Sequence, residues 1–405
     1  MIYKTLLVLA TIAVTINADS FLGLGYPLGV PAQNASGLIR SMSGTGTGLR
    51  DNFAGFSANP ANMAMPNYSS ISAVFSMNYF AFRSETTDYS NSTSPSLLSF
   101  IMPLGQLGNA GISIDKRTEG SVSFRSARSL SDGNGSGGDS VYTGLVRDGG
   151  LTSWQGGWGY LFDNGLSIGL SYQHLYHEMT TDQIYGYISD SRGAHSNVVQ
   201  GSSVGFPAKG ISAGVLFPVS NLTVGFTGEY ILPSEGTVTT RDILLDTIVR
   251  TKSDISVHLP PSVSFGLSYS FNHQWLAAAD LATTLWERYI SDFEKGAEYR
   301  TTYCASAGIR YTPVSGQISQ RYSETIDYRA GVRFSQMPVE GASERALTLG
   351  IGLPVQEKSG LVDIVFEMGR HTNDQFKDYY ESFYSIHLGI NSLNRWFERT
   401  TQSTY

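Results

Sequence analysis

The chain has 405 residues, 41% hydrophobic and only 15% charged, where an ordinary globular protein carries about a quarter of charged residues. An aromatic share of 12%, with 23 tyrosines, excludes a disordered chain. A net charge of −7 without any Lys/Arg cluster excludes nucleic acid as a partner, and one cysteine, Cys304, excludes a disulfide framework or a thiolate metal centre.

Residues 1–18 read as a secretory signal peptide. Lys4 supplies the positive start, Thr5 to Ile16 the apolar stretch, and Ile16-Asn17-Ala18 the cleavage site before Asp19. About twelve apolar residues are too few to span a bilayer as a helix. No later stretch approaches the length of a membrane helix. An exported chain of this kind can still cross a membrane as a closed β-barrel.

Residues 19–66 show no alternation and are rich in Gly, Ser, Ala and Asn, with a short helix expected around 51–64 and ended by Pro66. A segment of this length ahead of the first strand predicts a plug, or hatch, folded into the barrel mouth. Asn59-Pro60-Ala61 is its candidate gating motif.

From residue 67 onward the dominant pattern is strict alternation. Val263, Phe265, Leu267, Tyr269 and Phe271 fall on one face of a strand, and Ser262, Ser264, Gly266, Ser268 and Ser270 on the other. Fourteen such segments are predicted, near 70–83, 96–103, 109–117, 150–161, 165–178, 209–217, 221–231, 262–271, 274–285, 300–311, 324–335, 344–353, 360–370 and 378–391. An even count suits a bacterial barrel. Connections after the second, fourth, sixth and eighth segments are short, while those around 118–149, 179–208 and 232–261 are long and polar. Short periplasmic turns opposite long extracellular loops are the outer-membrane pattern; the connection near 312–323 departs from it. Trp154, Trp158, Trp275, Trp286 and Trp396-Phe397 lie near segment ends, where interfacial girdles are expected. The predicted fold is therefore an all-β, antiparallel transmembrane barrel of the outer membrane over residues 67–397, with about 14 strands, an N-terminal plug and a tail at 398–405. Its surroundings are outer-membrane lipid.

If the apolar faces meet lipid, Glu229, Asp280, Arg329, Arg333, Asp363 and Glu367 face the lumen, where buried charges have to pair. Cys304 falls on the same side. Val365 is expected to face the lumen and Phe366 the lipid, so that arginine is better tolerated at 365. His174 and His177 are three apart, which in a strand places them on opposite faces and argues against a shared metal. Asp132 to Gly137 matches the first half of a calcium loop, but Thr143 stands where the bidentate Glu belongs. No hydrolase, zinc-protease or nucleotide motif is present, so neither an enzyme nor a cofactor is expected.

Gly44 to Ala64 (GTGTGLRDNFAGFSANPANMA), Ser96 to Ile114 (SLLSFIMPLGQLGNAGISI), Leu259-Pro260 through Trp286, and Glu381 to Phe397 together resemble the long-chain fatty-acid transporter (FadL-type) family of Gram-negative outer membranes. The resemblance spans nearly the whole mature chain. It implies a plugged fourteen-stranded barrel that binds hydrophobic small molecules near the hatch and passes them through a lateral gap in the wall. The polar, Gly-rich stretch from Tyr185 to Pro207 departs from the family's apolar capture groove. A sibling, PorV-like branch serves type IX secretion, so the alternative expectation is a secretion or assembly partner that holds an exported protein at the outer membrane. The barrel assembly machinery is an expected partner in either case.

Overall fold

A computed structural model describes residues 28–83, 87–130, 139–189, 194–244, 247–293, 298–313, 321–355, 359–374 and 380–398. The signal peptide, residues 19–27 of the expected plug, the calcium-like stretch Asp132 to Gly137, and residues 399–405 of the tail lie outside the described residues, as do the side chains of Trp396 and Phe397.

Fourteen strands close into one antiparallel barrel. They are β1 (Tyr68–Arg83), β2 (Thr87–Pro103), β3 (Asn109–Lys116), β4 (Asp139–Leu161), β5 (Ser167–Ser189), β6 (Ala194–Val219) and β7 (Leu222–Ile231). The second half comprises β8 (Ser262–Ser270), β9 (Trp275–Thr284), β10 (Thr302–Tyr311), β11 (Asp327–Gln336), β12 (Ala342–Val355), β13 (Gly360–Asn373) and β14 (Tyr380–Glu398). Each pairs with its predecessor, and β14 pairs with β1, for example Ile390 with Ala73, so no sheet edge meets the lipid. The alternating segments read from the sequence all lie on these strands. Val263, Phe265 and Tyr269 point out and are exposed, while Gly266 and Ser268 point in and are buried. The end bearing the short turns is the periplasmic one.

The long polar connections are not loops. β4, β5 and β6 run for 23, 23 and 26 residues, far past the membrane-spanning length. Val122–Leu130 pairs with β4, and a hairpin of Ser234–Leu244 and Thr247–His258 pairs with β6. The result is an extracellular six-stranded extension of the barrel wall. Alternation fades there because the outward face meets water instead of lipid, so Thr237-Val238-Thr239-Thr240-Arg241-Asp242 reads as polar loop although it is strand.

Residues 28–66 lie inside the barrel. The helix expected around 51–64 is replaced by a short α-turn at Gly37–Arg40 and a 3-10 turn at Pro60–Ala64, the latter started by Pro60 and capped by the Asn59 side chain. Wall glycines let the plug backbone approach. A Cβ at Gly169, Gly214, Gly225, Gly331 or Gly350 would stand 2.0 to 2.4 Å from plug atoms of Pro60, Asn59, Thr47, Met42 and Ser41 respectively. Phe366 faces the lipid and Val365 the interior, as read, but Val365 is completely buried beside Gly350.

At the periplasmic end Trp275 packs on Tyr311 with ring centroids 4.4 Å apart, and Trp158 stacks on Tyr160 at 5.9 Å, both as an interfacial girdle requires. Trp286 is not part of one. It follows the end of β9 on a 3-10 turn that folds it inward, where it is buried against Tyr289 and Tyr299.

Candidate ligand chamber and the charges around the plug

Asn59 joins the plug to itself and to the wall. Its Oδ1 accepts from the Ala61 N–H at 3.0 Å, and its Nδ2 donates to the Thr47 carbonyl at 2.8 Å and to the Val215 carbonyl of β6 at 3.2 Å. Pro60 and Ala61 sit directly on β5 at Gly169. Asp280 on β9 accepts from the backbone N–H of Gly46 and of Thr47, both at 2.7 Å. The Gly-rich plug segment is thereby held by a carboxylate on consecutive amides.

The other inward charges form two clusters on β11 to β14. Arg329 bonds Asp363 and Asp327, and Asp363 also accepts from Asn391 at 2.8 Å. Arg333 reaches Glu344 and Glu367, both at 2.7 Å. From there the chain of contacts runs both ways. Glu344 meets His371 at 3.0 Å and His371 meets Glu381 at 2.8 Å; Glu367 meets His387 at 3.1 Å, and His387 meets the plug's Arg40 at 3.2 Å.

Hydrogen-bond chemistry assigns the protons. A carboxylate only accepts, so both ring nitrogens of His371 donate and the ring is an imidazolium. His387 Nδ1 faces a guanidinium N–H, so it accepts, while Nε2 donates to Glu367 and the ring is neutral. Arg40 also donates to Ser76 at 3.0 Å and to the Ala35 carbonyl at 2.9 Å. Burial pulls its pKa down to about 10, against the pull of Glu367.

Glu229 lies apart from these clusters. Arg117, just after β3, crosses the lumen to reach it at 3.2 Å, while bonding Asp115 at 2.9 Å and Gln173 at 3.0 Å. Asp115 in turn accepts from Asn34 of the plug at 2.8 Å.

Above the plug these groups border a chamber of about 450 Å³. Its floor is Gln33, Asn34, Ser43, Thr47 and Ser57 of the plug; its outer part is Leu28, Leu151, Leu175, Ile231, Leu259 and Trp286. These six apolar residues are buried in one cluster that roofs the barrel toward the extracellular extension. Below the plug a separate polar vestibule of about 720 Å³ opens around Arg50, Asp51, Arg310 and Asp327.

One stretch of the chamber wall is incomplete. The β7–β8 ladder ends at Glu229 with Ser262, so Tyr230 and Ile231 pair only with β6. Pro260 and Pro261, which have no N–H to donate, precede β8 at this point. On the lipid side lies a second cavity of about 250 Å³, lined by Ile211, Tyr230, Pro261, Val263 and Leu285 among others. Gly228, Glu229 and Ser262 line both cavities, so the wall between them is one residue thick.

The structure places all six sequence-predicted charges on the lumen side, in four separate groups: Asp280, Arg329 with Asp363, Arg333 with Glu367, and Glu229. Cys304 lines the chamber. His174 is exposed outward and His177 is buried inward against Phe206, on opposite faces as the strand period requires. Arg40, Asp115, Arg117, His371 and His387 were not predictable as members, because their partners lie on distant strands. The one available signal was Arg40, the sole Lys or Arg between Asp19 and Leu49, set in an apolar turn.

A family model described as BamG matches residues 1–402. The structure is similar to that of a FadL homologue from Pseudomonas aeruginosa, with a TM-score of 0.61, 14% identity, and coverage of 90% of this chain and 99% of that one. It is also similar to the toluene transporter TodX from Pseudomonas putida, with a TM-score of 0.54, 16% identity, and coverage of 89% and 98%. At these identities the likeness establishes the fold, a FadL-type β-barrel. No curated protein sequence matches the chain.

Proposed function

The chain belongs to the BamG family, and from that premise we propose that it takes small hydrophobic molecules into the chamber above its plug and releases them sideways into the outer membrane. The observation that carries this reading is the shared wall of chamber and lipid-facing cavity at Gly228, Glu229 and Ser262. An apolar solute crosses the hydrated surface layer poorly, and transfer into the bilayer releases about 25 cal/mol per Å² of apolar area. A route that leaves at β7–β8 passes over the plug and leaves Asn59-Pro60-Ala61 in place; gating at that motif would have to break the Asn59 bonds to Thr47 and Val215. The apolar chain of a long-chain fatty acid, the class implied by the resemblance, and the body of an uncharged apolar compound would meet the same walls on such a route; the two differ in the charged end that the former carries.

Mass spectrometry of an organic extract of the natively purified protein, against an unrelated barrel in the same detergent, tests this. A specific apolar compound should be enriched, and Gly228→Trp, whose Cβ would meet only ordinary contacts with Val263 and Ser262 at 3.8 and 4.0 Å, should lose it by closing the thin wall. An empty extract from the unmodified protein would count against the reading.

The plug and the family name favour a second reading, an accessory of barrel assembly or of secretion. BamG shares its prefix with the barrel assembly machinery, and among the described residues the six-stranded extracellular extension ends in strands that are unpaired along much of one side. Copurification of assembly proteins with an extract empty of ligand would put this reading first.

A further inference from the structure

The charges around the chamber bear on what it can hold. Two arginines line it, Arg117 and Arg333, against three carboxylates, Glu229, Asp280 and Glu344, which leaves a formal excess of one negative charge. Each arginine is already neutralised by two carboxylates. Arg117 is shared between Asp115 and Glu229, and Arg333 between Glu344 and Glu367. Asp280 is committed to plug amides. A fatty-acid carboxylate entering here would lose its hydration and find only cations already neutralised, beside a surplus of like charge.

The uncharged polar groups are placed differently. Gln33, Asn34, Ser43, Thr47 and Ser57 form the floor, opposite the apolar roof that contains Leu259 and Trp286. We propose that the chamber selects an uncharged molecule with one polar end, an alcohol, ketone or amide on an apolar body, and rejects the fatty-acid anion. The polar end lies on the plug and the apolar body lies toward the roof and the β7–β8 wall. This rests on the chamber being a ligand site, as proposed above.

Cys304, the only cysteine, lines the chamber and reports on its occupancy. The experiment measures the rate of Cys304 modification by N-ethylmaleimide in the full-length protein in nanodiscs, at about pH 8 where a fatty acid is ionised. Dodecanol and dodecanoate are titrated in separately. Dodecanol should slow labelling at a concentration about tenfold or more below that of dodecanoate, and Glu229→Gln should narrow the gap. Retention of the folded band that shifts on boiling establishes that this variant is folded; should it not be, Asp115→Asn takes its place. Protection by dodecanoate at equal or lower concentration would overturn the proposed selectivity and leave the ligand site standing. Failure of both compounds to protect, or a thiol that reacts only after unfolding, would overturn the ligand site and the selectivity with it.

Discussion

Gly214 on β6 faces Asn59 of the plug so closely that a methyl group at Gly214 would stand 2.0 Å from the Asn59 amide oxygen. The pairing couples a wall position without a side chain to the residue that ties two plug segments and the β6 backbone together. Gly214→Ala should therefore displace the plug locally, at a cost of roughly 1–3 kcal/mol or more, as for other overpacked interiors. Gly156→Ala on the outer face of β4, with open space at its Cβ, should be neutral. Limited proteolysis of residues 44–60 and the urea midpoint in lipid check both; equal behaviour of the two variants would contradict the close approach.

Arginine substitution should report which surface each strand position meets. Phe366→Arg puts a charge into lipid, at about 2–4 kcal/mol near the midplane. Val365→Arg, expected from the sequence to be the milder change, should be at least as damaging, because Val365 is completely buried. Ser335→Arg, which projects into the chamber, should be the mildest of the three. The fraction of each variant that runs as the folded form before boiling gives the order.

The two histidines should respond differently to one substitution. Glutamine can donate to Glu367 and accept from Arg40, as neutral His387 does, so His387→Gln should be nearly neutral. His371→Gln removes a cation from between Glu344 and Glu381 and should cost about 3–5 kcal/mol, the range for breaking a buried ion pair. Thermal unfolding of the two variants in the same lipid would show comparable losses if the proton assignment were wrong.

Asp280→Asn keeps the shape of the side chain and loses its charge beneath the amides of Gly46 and Thr47. Charge-assisted bonds are roughly twice as strong as neutral ones, so hydrogen exchange at those two amides should accelerate while exchange along β9 stays unchanged. Acceleration throughout β9 would mean that Asp280 supports the wall and not the plug.

The barrel could be read from the sequence because lipid imposes a rule on every second residue, as along Val263 to Phe271. The same rule explains where reading stopped. Past the membrane, in Ser234–Leu244 and Thr247–His258, the outward face meets water and the strands lose their apolar signature. The position of Trp286 near a segment end points to a girdle, yet the chain turns inward after Thr284. The charges of β7, β9, β11 and β13 could be assigned to a face from alternation alone. Their partners could not, since Arg40 lies 347 residues from His387 and Arg117 lies 112 from Glu229.

The wall glycines have a consequence for how the ring can close around the plug. The plug touches strands from β5 to β14 at backbone distance, and Arg40 bonds both Ser76 of β1 and His387 of β14, the two strands that close the ring. A finished cylinder with so little clearance offers no entrance to a folded plug. The plug lies ahead of β1 in the chain, so a wall that closes at β1 and β14 with this little clearance closes around it.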